Sequence, residues 1–158
     1  TICTPRRPKC ILCPWCDACR ARRDGLIDLL PARVPKRPRP VRHGMAFWVV
    51  RGDGAVLLRR RPASGLLGGM MEIPSTSWRE AEWSLEEAKR EAPLAARWHA
   101  VPGVVRHVFT HFELRLEVLA GEVRAGFNKG GVWVLPEDFA AQALPSVMRK
   151  LAKHVRQR

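Results

Sequence analysis

The sequence predicts an α+β domain carried behind a small cysteine-rich appendage, and three observations support this. All five cysteines fall between Cys3 and Cys19. Residues 31–40, PARVPKRPRP, set four prolines among four cations, a composition that makes a stiff, extended linker. Beyond that linker, strand-like apolar runs are interrupted by one central and one terminal helical segment.

Residues 20–30 read as a short helical tail ended by Pro31. The second unit opens with GMAFWVV, apolar on both faces as in a buried central strand. Arg51-Gly52-Asp53-Gly54 is a turn, and AVLLRRR is the returning strand. The glycine-rich SGLLGGMMEIPSTSW is broken by Pro74. Residues 80–91 have helical character, and Pro102-Gly103 marks a turn within an ambiguous stretch. HFELRLEVLAGEV alternates, with Phe112, Leu114, Leu116 and Val118 on one face and Glu113, Arg115 and Glu117 on the other. It reads as a half-buried antiparallel strand. VWVL is a short strand, and Pro145 opens a basic helix, SVMRKLAKHVRQR.

The chain of 158 residues has room for one ordinary domain and the appendage, and its 46% hydrophobic content supports a packed core. The net charge of +13 favours a polyanionic partner, although charge of this size also serves solubility. Residues 1–43 hold 11 Lys and Arg against 3 Asp, so most of the excess lies there. No run approaches the roughly 20 apolar residues that span a bilayer. The first residues lack the apolar segment of a secretory signal. Free cysteines at metal spacing fit a reducing compartment. The chain starts without methionine, inside a motif, and is expected to be a piece of a longer protein.

The cysteines follow the spacing Cys3-x6-Cys10-x2-Cys13-x2-Cys16-x2-Cys19. Disulfides would leave one cysteine over and would require favourable geometry in each CxxC pair. Zinc ribbons separate two CxxC knuckles by a dozen or more residues, whereas an iron–sulfur cluster accepts thiolates from one tight loop and an outlier. The cluster is the leading expectation, with zinc and redox-active thiols as alternatives. The six residues between Cys3 and Cys10 carry Arg6, Arg7 and Lys9, which suit phosphate contacts or offset thiolate charge.

The Cys-x6-Cys-x2-Cys-x5-Cys pattern resembles the 4Fe–4S motif of helix-hairpin-helix DNA glycosylases. CTPRRPKCILCPWCDAC is very similar to that of the adenine DNA glycosylases (MutY family). The resemblance implies Cys3, Cys10, Cys13 and Cys19 as ligands of a 4Fe–4S cluster. Cys16 is an addition inside the x5 gap, and the run Cys10-Cys13-Cys16 resembles ferredoxin spacing. PASGLLGGMMEIP (62–74) is similar to the strand and loop of Nudix domains, in particular the C-terminal domain of that family. The fold class implied is an α+β, Nudix-like mixed sheet with flanking helices.

A Nudix hydrolase needs the box G-x5-E-x7-R-E-U-x-E-E-x-G-U, whose glutamates hold Mg²⁺. An ungapped alignment from Gly69 puts Ser75 at the first Glu and Trp83-Ser84 at the Arg-Glu pair, leaving only Glu87 on a required carboxylate. A gapped alignment onto Glu86-Glu87 would restore part of it. One carboxylate does not assemble a hard-cation site, so hydrolase chemistry is expected to be lost while the fold remains.

Locally, residues 106–112 read as a hairpin corner with Phe109 in the core. The resemblance places Phe109-Thr110-His111 where the family has a Phe-Ser-His loop that meets 8-oxoguanine. Threonine keeps the hydroxyl that can sense the oxidised base's N7–H. The organisation expected is a cluster loop and tail (1–30), a linker (31–42) and a recognition domain (43–158).

The function implied is that of the C-terminal part of a base-excision-repair adenine DNA glycosylase, which removes adenine mispaired with 8-oxoguanine. The family's catalytic acid and stabilising carboxylate belong upstream of Thr1. This chain is therefore expected to hold no catalytic residue and to release no adenine from an A:8-oxoguanine duplex. The partners implied are double-stranded DNA with that mispair and a repair protein at the linker, with no membrane and a monomeric state. The setting implied is a bacterial cytoplasm, on the nucleoid. The alternatives are a Nudix nucleotide pyrophosphatase with Mg²⁺ and a zinc-dependent DNA-binding module.

Overall fold

The computed structural model describes residues 2–4, 6–30, 38–124 and 130–157, and the chain divides into two units, Thr1–Pro38 and Arg39–Arg158. Residues 31–37 of the expected linker lie outside the described residues.

The first unit is built from tight turns. A 3₁₀ turn, Cys10–Leu12, is followed by helix α1 (Arg20–Arg23). The helical tail expected over 20–30 is cut short, and Gly25 is the reason. At φ +70° it takes the left-handed conformation that favours glycine. Leu26 N–H then bonds Ala21 O at 2.7 Å and Gly25 N–H bonds Arg22 O at 3.3 Å. This pair of bonds satisfies the last carbonyls and stops the helix.

The second unit forms around strand β1 (Val41–Arg51), buried on both faces over residues 44–49. It starts two residues before the expected domain start at 43. Ala46 and Trp48 enter one apolar cluster, and Met45, Phe47 and Val49 enter the other. Both faces of the sheet are therefore covered, as the continuous apolar run predicts.

After a turn in which Gly54 sits at φ +87°, β2 (Val56–Arg60) returns antiparallel. The Arg51 guanidinium bonds the Asp53 carboxylate across this turn and holds its pKa at about 2. Strands β3 (Met71–Glu72), β4 (His99–Val108), β5 (Glu113–Val123) and β6 (Val132–Val134) complete six strands. Their order is β3-β2-β1-β5-β4, with β6 also pairing β2.

Two strand expectations change. β5 is antiparallel to β4, but it is also parallel to β1, in register from Val41↔Glu113 to Arg51↔Val123. Alternation reports which face a side chain occupies and is silent about its neighbours. Pro102-Gly103 does not reverse the chain. It lies inside β4, where Val101 pairs Val118 and Val105 pairs Leu116, leaving a bulge with Gly103 at φ +96°. β4 is an edge strand, which tolerates a proline at a bulge.

Helix α2 (Leu85–Arg90) is shorter than the expected 80–91. Ser84 caps it: its hydroxyl accepts from Glu87 N–H, and the Glu87 carboxylate accepts from Ser84 N–H at 3.0 Å. Upstream, Arg79 is held to β1 by an isolated bridge to His43 and stacks over Trp83 at 3.7 Å. Those contacts keep the residues before Ser84 out of the helix.

A 3₁₀ segment (Pro136–Ala141) precedes α3 (Ser146–Arg156), whose Val147, Met148, Leu151 and Ala152 pack on the same face as Leu114 and Leu116. Fully burying each such leucine contributes about 2 kcal/mol. Helix α2 is on the opposite face, where Ala88 meets the cluster of Phe47 and Leu119. No helix among the described residues is long and apolar enough to cross a membrane.

Candidate functional site

In the first unit, Cys13 N–H bonds Cys10 O at 3.0 Å, Cys16 N–H bonds Cys13 O at 3.0 Å, and Cys19 N–H bonds Cys16 O at 3.4 Å. Successive i→i+3 bonds give roughly three residues per turn, so every third side chain falls on one side. Cys3 joins them from the far end of the x6 loop, which a bond from Lys9 N–H to Ile2 O closes at 3.0 Å. All five thiols are free, and with Ile2, Pro8 and Arg22 they line one cavity of about 40 Å³.

Cys16, the addition to the family pattern, is thus in the ring with the four expected ligands, and the Arg22 guanidinium donates to its Sγ. No three His, Cys, Asp or Glu side chains among the described residues are grouped closely enough to hold a metal ion. Five thiols around a common cavity suit a thiolate-held group larger than one ion. Arg6, Arg7 and Lys9 are exposed on the closing loop.

In the second unit, the β4–β5 hairpin ends in residues 109–112, closed by Phe109 N–H to Phe112 O at 2.9 Å. Thr110 and His111 are exposed at its tip. Phe109 is half-buried and packs on the core, as the local reading of a hairpin corner predicts. It stacks on Phe112 at 4.8 Å between centroids and lies 5.9 Å from Trp78.

Arg42 sits over Phe112 at 4.5 Å, and Arg61 over Trp78 at 4.9 Å. Cations placed over ring faces in this way add to the packing. Gly44 makes room for Trp78: a Cβ there would meet Trp78 Cδ1 at 2.9 Å. This cation–aromatic stack was not read from the sequence. Its members come from four separate segments, and only the hairpin's Phe109 and Phe112 are close in the chain.

The stack borders a cleft of about 500 Å³ lined by Arg42, Arg59, Arg61, Glu72, Trp78 and Glu91 among others. Glu72 is buried and held by Arg59 at 2.6 Å and by Arg61. Glu87, the one carboxylate at an ungapped box position, caps α2 and pairs with Arg79 at 3.0 Å. Bonds from the Ser84 backbone and hydroxyl, and then the Arg79 charge, lower its pKa. Both carboxylates are therefore committed within the protein.

His107, on β4 beside the stack, has a buried Nδ1 with no hydrogen-bond partner among the described residues. Burial, and secondarily the charge of Lys150, lower its pKa from 6.5. Above that value both folded and unfolded chains hold it neutral. Below it the unfolded chain takes up a proton that the folded one resists, so stability falls as pH drops toward the folded pKa. His107→Gln is expected to flatten this part of the acid limb in urea melts at several pH values. An unchanged limb would assign the loss to other groups.

The layered mixed sheet and the glycine-rich approach to Glu72 define a Nudix fold. The family model described as NUDIX domain matches residues 45–154, and the chain belongs to that family.

In sequence it is similar to the adenine DNA glycosylase of Homo sapiens, at 29% identity over 207 aligned residues. The match takes in 96% of this chain and 38% of that protein, so the chain spans well under half the length of this relative. In structure it resembles the C-terminal domain of mouse MUTYH, solved in complex with human PCNA. The TM-score is 0.55 and the identity 23%, over 73% of this chain and 88% of that one. It also resembles the MutT protein of Methanosarcina mazei Go1, with a TM-score of 0.64 and 20% identity over 77% and 98%. These two likenesses are of fold.

Proposed function

We propose that this chain is the cluster-bearing and lesion-reading part of a base-excision-repair adenine DNA glycosylase acting on adenine opposite 8-oxoguanine. The observation that carries the reading is a similarity to an adenine DNA glycosylase over 96% of the chain.

Cys3, Cys10, Cys13 and Cys19 hold a 4Fe–4S cluster. When bound, such a group supplies a rigid anchor for the ends of the x6 loop. The loop's Arg6, Arg7 and Lys9 then face backbone phosphates with little ordering left to lose. Neutralising three phosphates gives a log–log salt slope of about −2.7. Replacing all three cations by glutamine is expected to make the slope of DNA binding shallower by about that amount. An unchanged slope would reduce them to charge compensation for the thiolates.

At the hairpin tip, Thr110 and His111 are the groups that reach the duplex, and Phe109 supports them from within the aromatic stack. The Thr110 hydroxyl accepts from the N7–H that 8-oxoguanine has and guanine lacks. Loss of one such hydrogen bond is worth roughly threefold to tenfold in affinity. Thr110→Ala is expected to lower the preference for an A:8-oxoguanine duplex over an A:G duplex by that factor. If the ratio is the same for both proteins, the tip does not read the lesion.

The chain has no catalytic role assigned to its own side chains, and the glycosidic chemistry belongs to a part of the enzyme it does not include. The complex of the mouse domain with human PCNA supports a protein partner here too, and the composition of the proline-rich stretch 31–42 is our reason for placing it there.

A further inference from the structure

We infer that Cys16 is an interchangeable fourth ligand, so that either Cys16 or Cys19 completes the cluster. This rests on the cluster reading above and concerns a residue that the four-cysteine pattern leaves out.

The argument is geometric. Cys10, Cys13, Cys16 and Cys19 are brought to one side of the backbone by the same three turn bonds, so Cys16 is no more remote from the cavity than its neighbours. Cys16 and Cys19 are adjacent on that side, one turn apart, and both line the cavity. Cys3 reaches the same cavity from the other end of the x6 loop. A cluster with four coordination positions and five thiols in its wall leaves one thiol over. Cys13 and Cys19 each stand one turn from Cys16, and Cys19 is the one whose place the tighter Cys10-Cys13-Cys16 spacing lets Cys16 take.

Arg22 gives the unused thiol a place to rest. Its guanidinium donates to Cys16 Sγ from the helix that follows Cys19, and it lines the same cavity as the Cys19 thiol. The exchange balances as thiolate for thiolate. In such an exchange Cys16 Sγ would take the place of Cys19 Sγ as the thiolate holding the group, and the proton that Cys16 gives up would pass to Cys19. Neither the iron oxidation level nor the number of sulfur ligands changes.

The test uses the full chain, expressed with iron and sulfide and purified without oxygen. Iron, acid-labile sulfide and absorbance near 400 nm are measured for the wild type, Cys16→Ala, Cys19→Ala, the double variant and Cys10→Ala. The two single variants are expected to keep more than half of the wild-type iron. The double variant and Cys10→Ala are expected to lose it at least tenfold. Pulse alkylation of the loaded wild type, mapped by mass spectrometry, needs no substitution. One label per chain, divided between Cys16 and Cys19, is the expected result.

An empty Cys19→Ala or Cys16→Ala chain beside a loaded wild type would overturn the exchange alone, as would a label confined to one cysteine. A wild type lacking both iron and sulfide would remove the cluster reading and this inference with it.

Discussion

Cys10→Ala is expected to yield a chain without iron that still folds its second unit but binds DNA on the order of tenfold more weakly at low salt. Cys10 is the residue at which the x6 loop meets the run of i→i+3 turns, so its thiol ties the loop to that run. On the cluster reading proposed above, its removal takes away one ligand and, with it, the anchor that holds Arg6, Arg7 and Lys9 in a fixed array. The cations remain, so attraction to phosphate remains, but ordering three long side chains and their loop now opposes binding. The salt slope should therefore change less than the affinity does. Iron analysis, far-UV circular dichroism and fluorescence titration with a duplex check the three parts. Full affinity in an iron-free chain would show that the loop presents its cations without the cluster.

Glu72→Ala is expected to destabilise the second unit by about 3 kcal/mol, read as a lower urea midpoint at unchanged slope. The Glu72 side chain is 2% exposed and receives Arg59 Nε at 2.6 Å on one oxygen and Arg61 on the other. Removing it strands two cations at the wall of the cleft. The Arg59 and Arg61 side chains are 42% and 20% exposed, so water recovers part of the loss. That keeps the expected cost at the lower end for a broken buried pair. Arg61 also stacks over Trp78, so the substitution should loosen the aromatic support of the hairpin and weaken lesion preference in the same variant. A stable Glu72→Ala protein would mean that the two arginines are held by their carbonyl contacts at Ser75 and Leu66.

The sequence made the sheet's faces legible, because side-chain period is a local property. GMAFWVV announced a strand covered on both sides, and Leu114, Leu116 and Val118 announced their shared face. It did not make neighbours legible: the parallel partner of β5 is β1, far away in the chain, and no local pattern encodes it. Pro102-Gly103 misled for a related reason, since the same residues serve a reversal or a bulge and only the partner strand decides. Residues 20–30 misled because Gly25 and its capping bonds outweigh the helical character around them.

At the candidate site, the thiols were legible as a group from spacing alone. That Cys16 shares their cavity follows from roughly three residues per turn, a signal present in the CxxCxxCxxC spacing itself. The cation–aromatic stack was not legible, because Arg42, Arg61, Trp78 and Phe112 meet only through tertiary packing.

The parallel pairing of β1 with β5 also sets an order of events during synthesis. β1 is made early, yet its partner begins only at Glu113, so the centre of the sheet waits for most of the domain to be translated. Pairings this distant in sequence close slowly, and the apolar run of β1 is exposed to other chains meanwhile. The cysteine stretch, by contrast, is complete by Cys19 and held by bonds between near neighbours. The turns that gather the thiols can therefore form while the domain behind them is still unfolded.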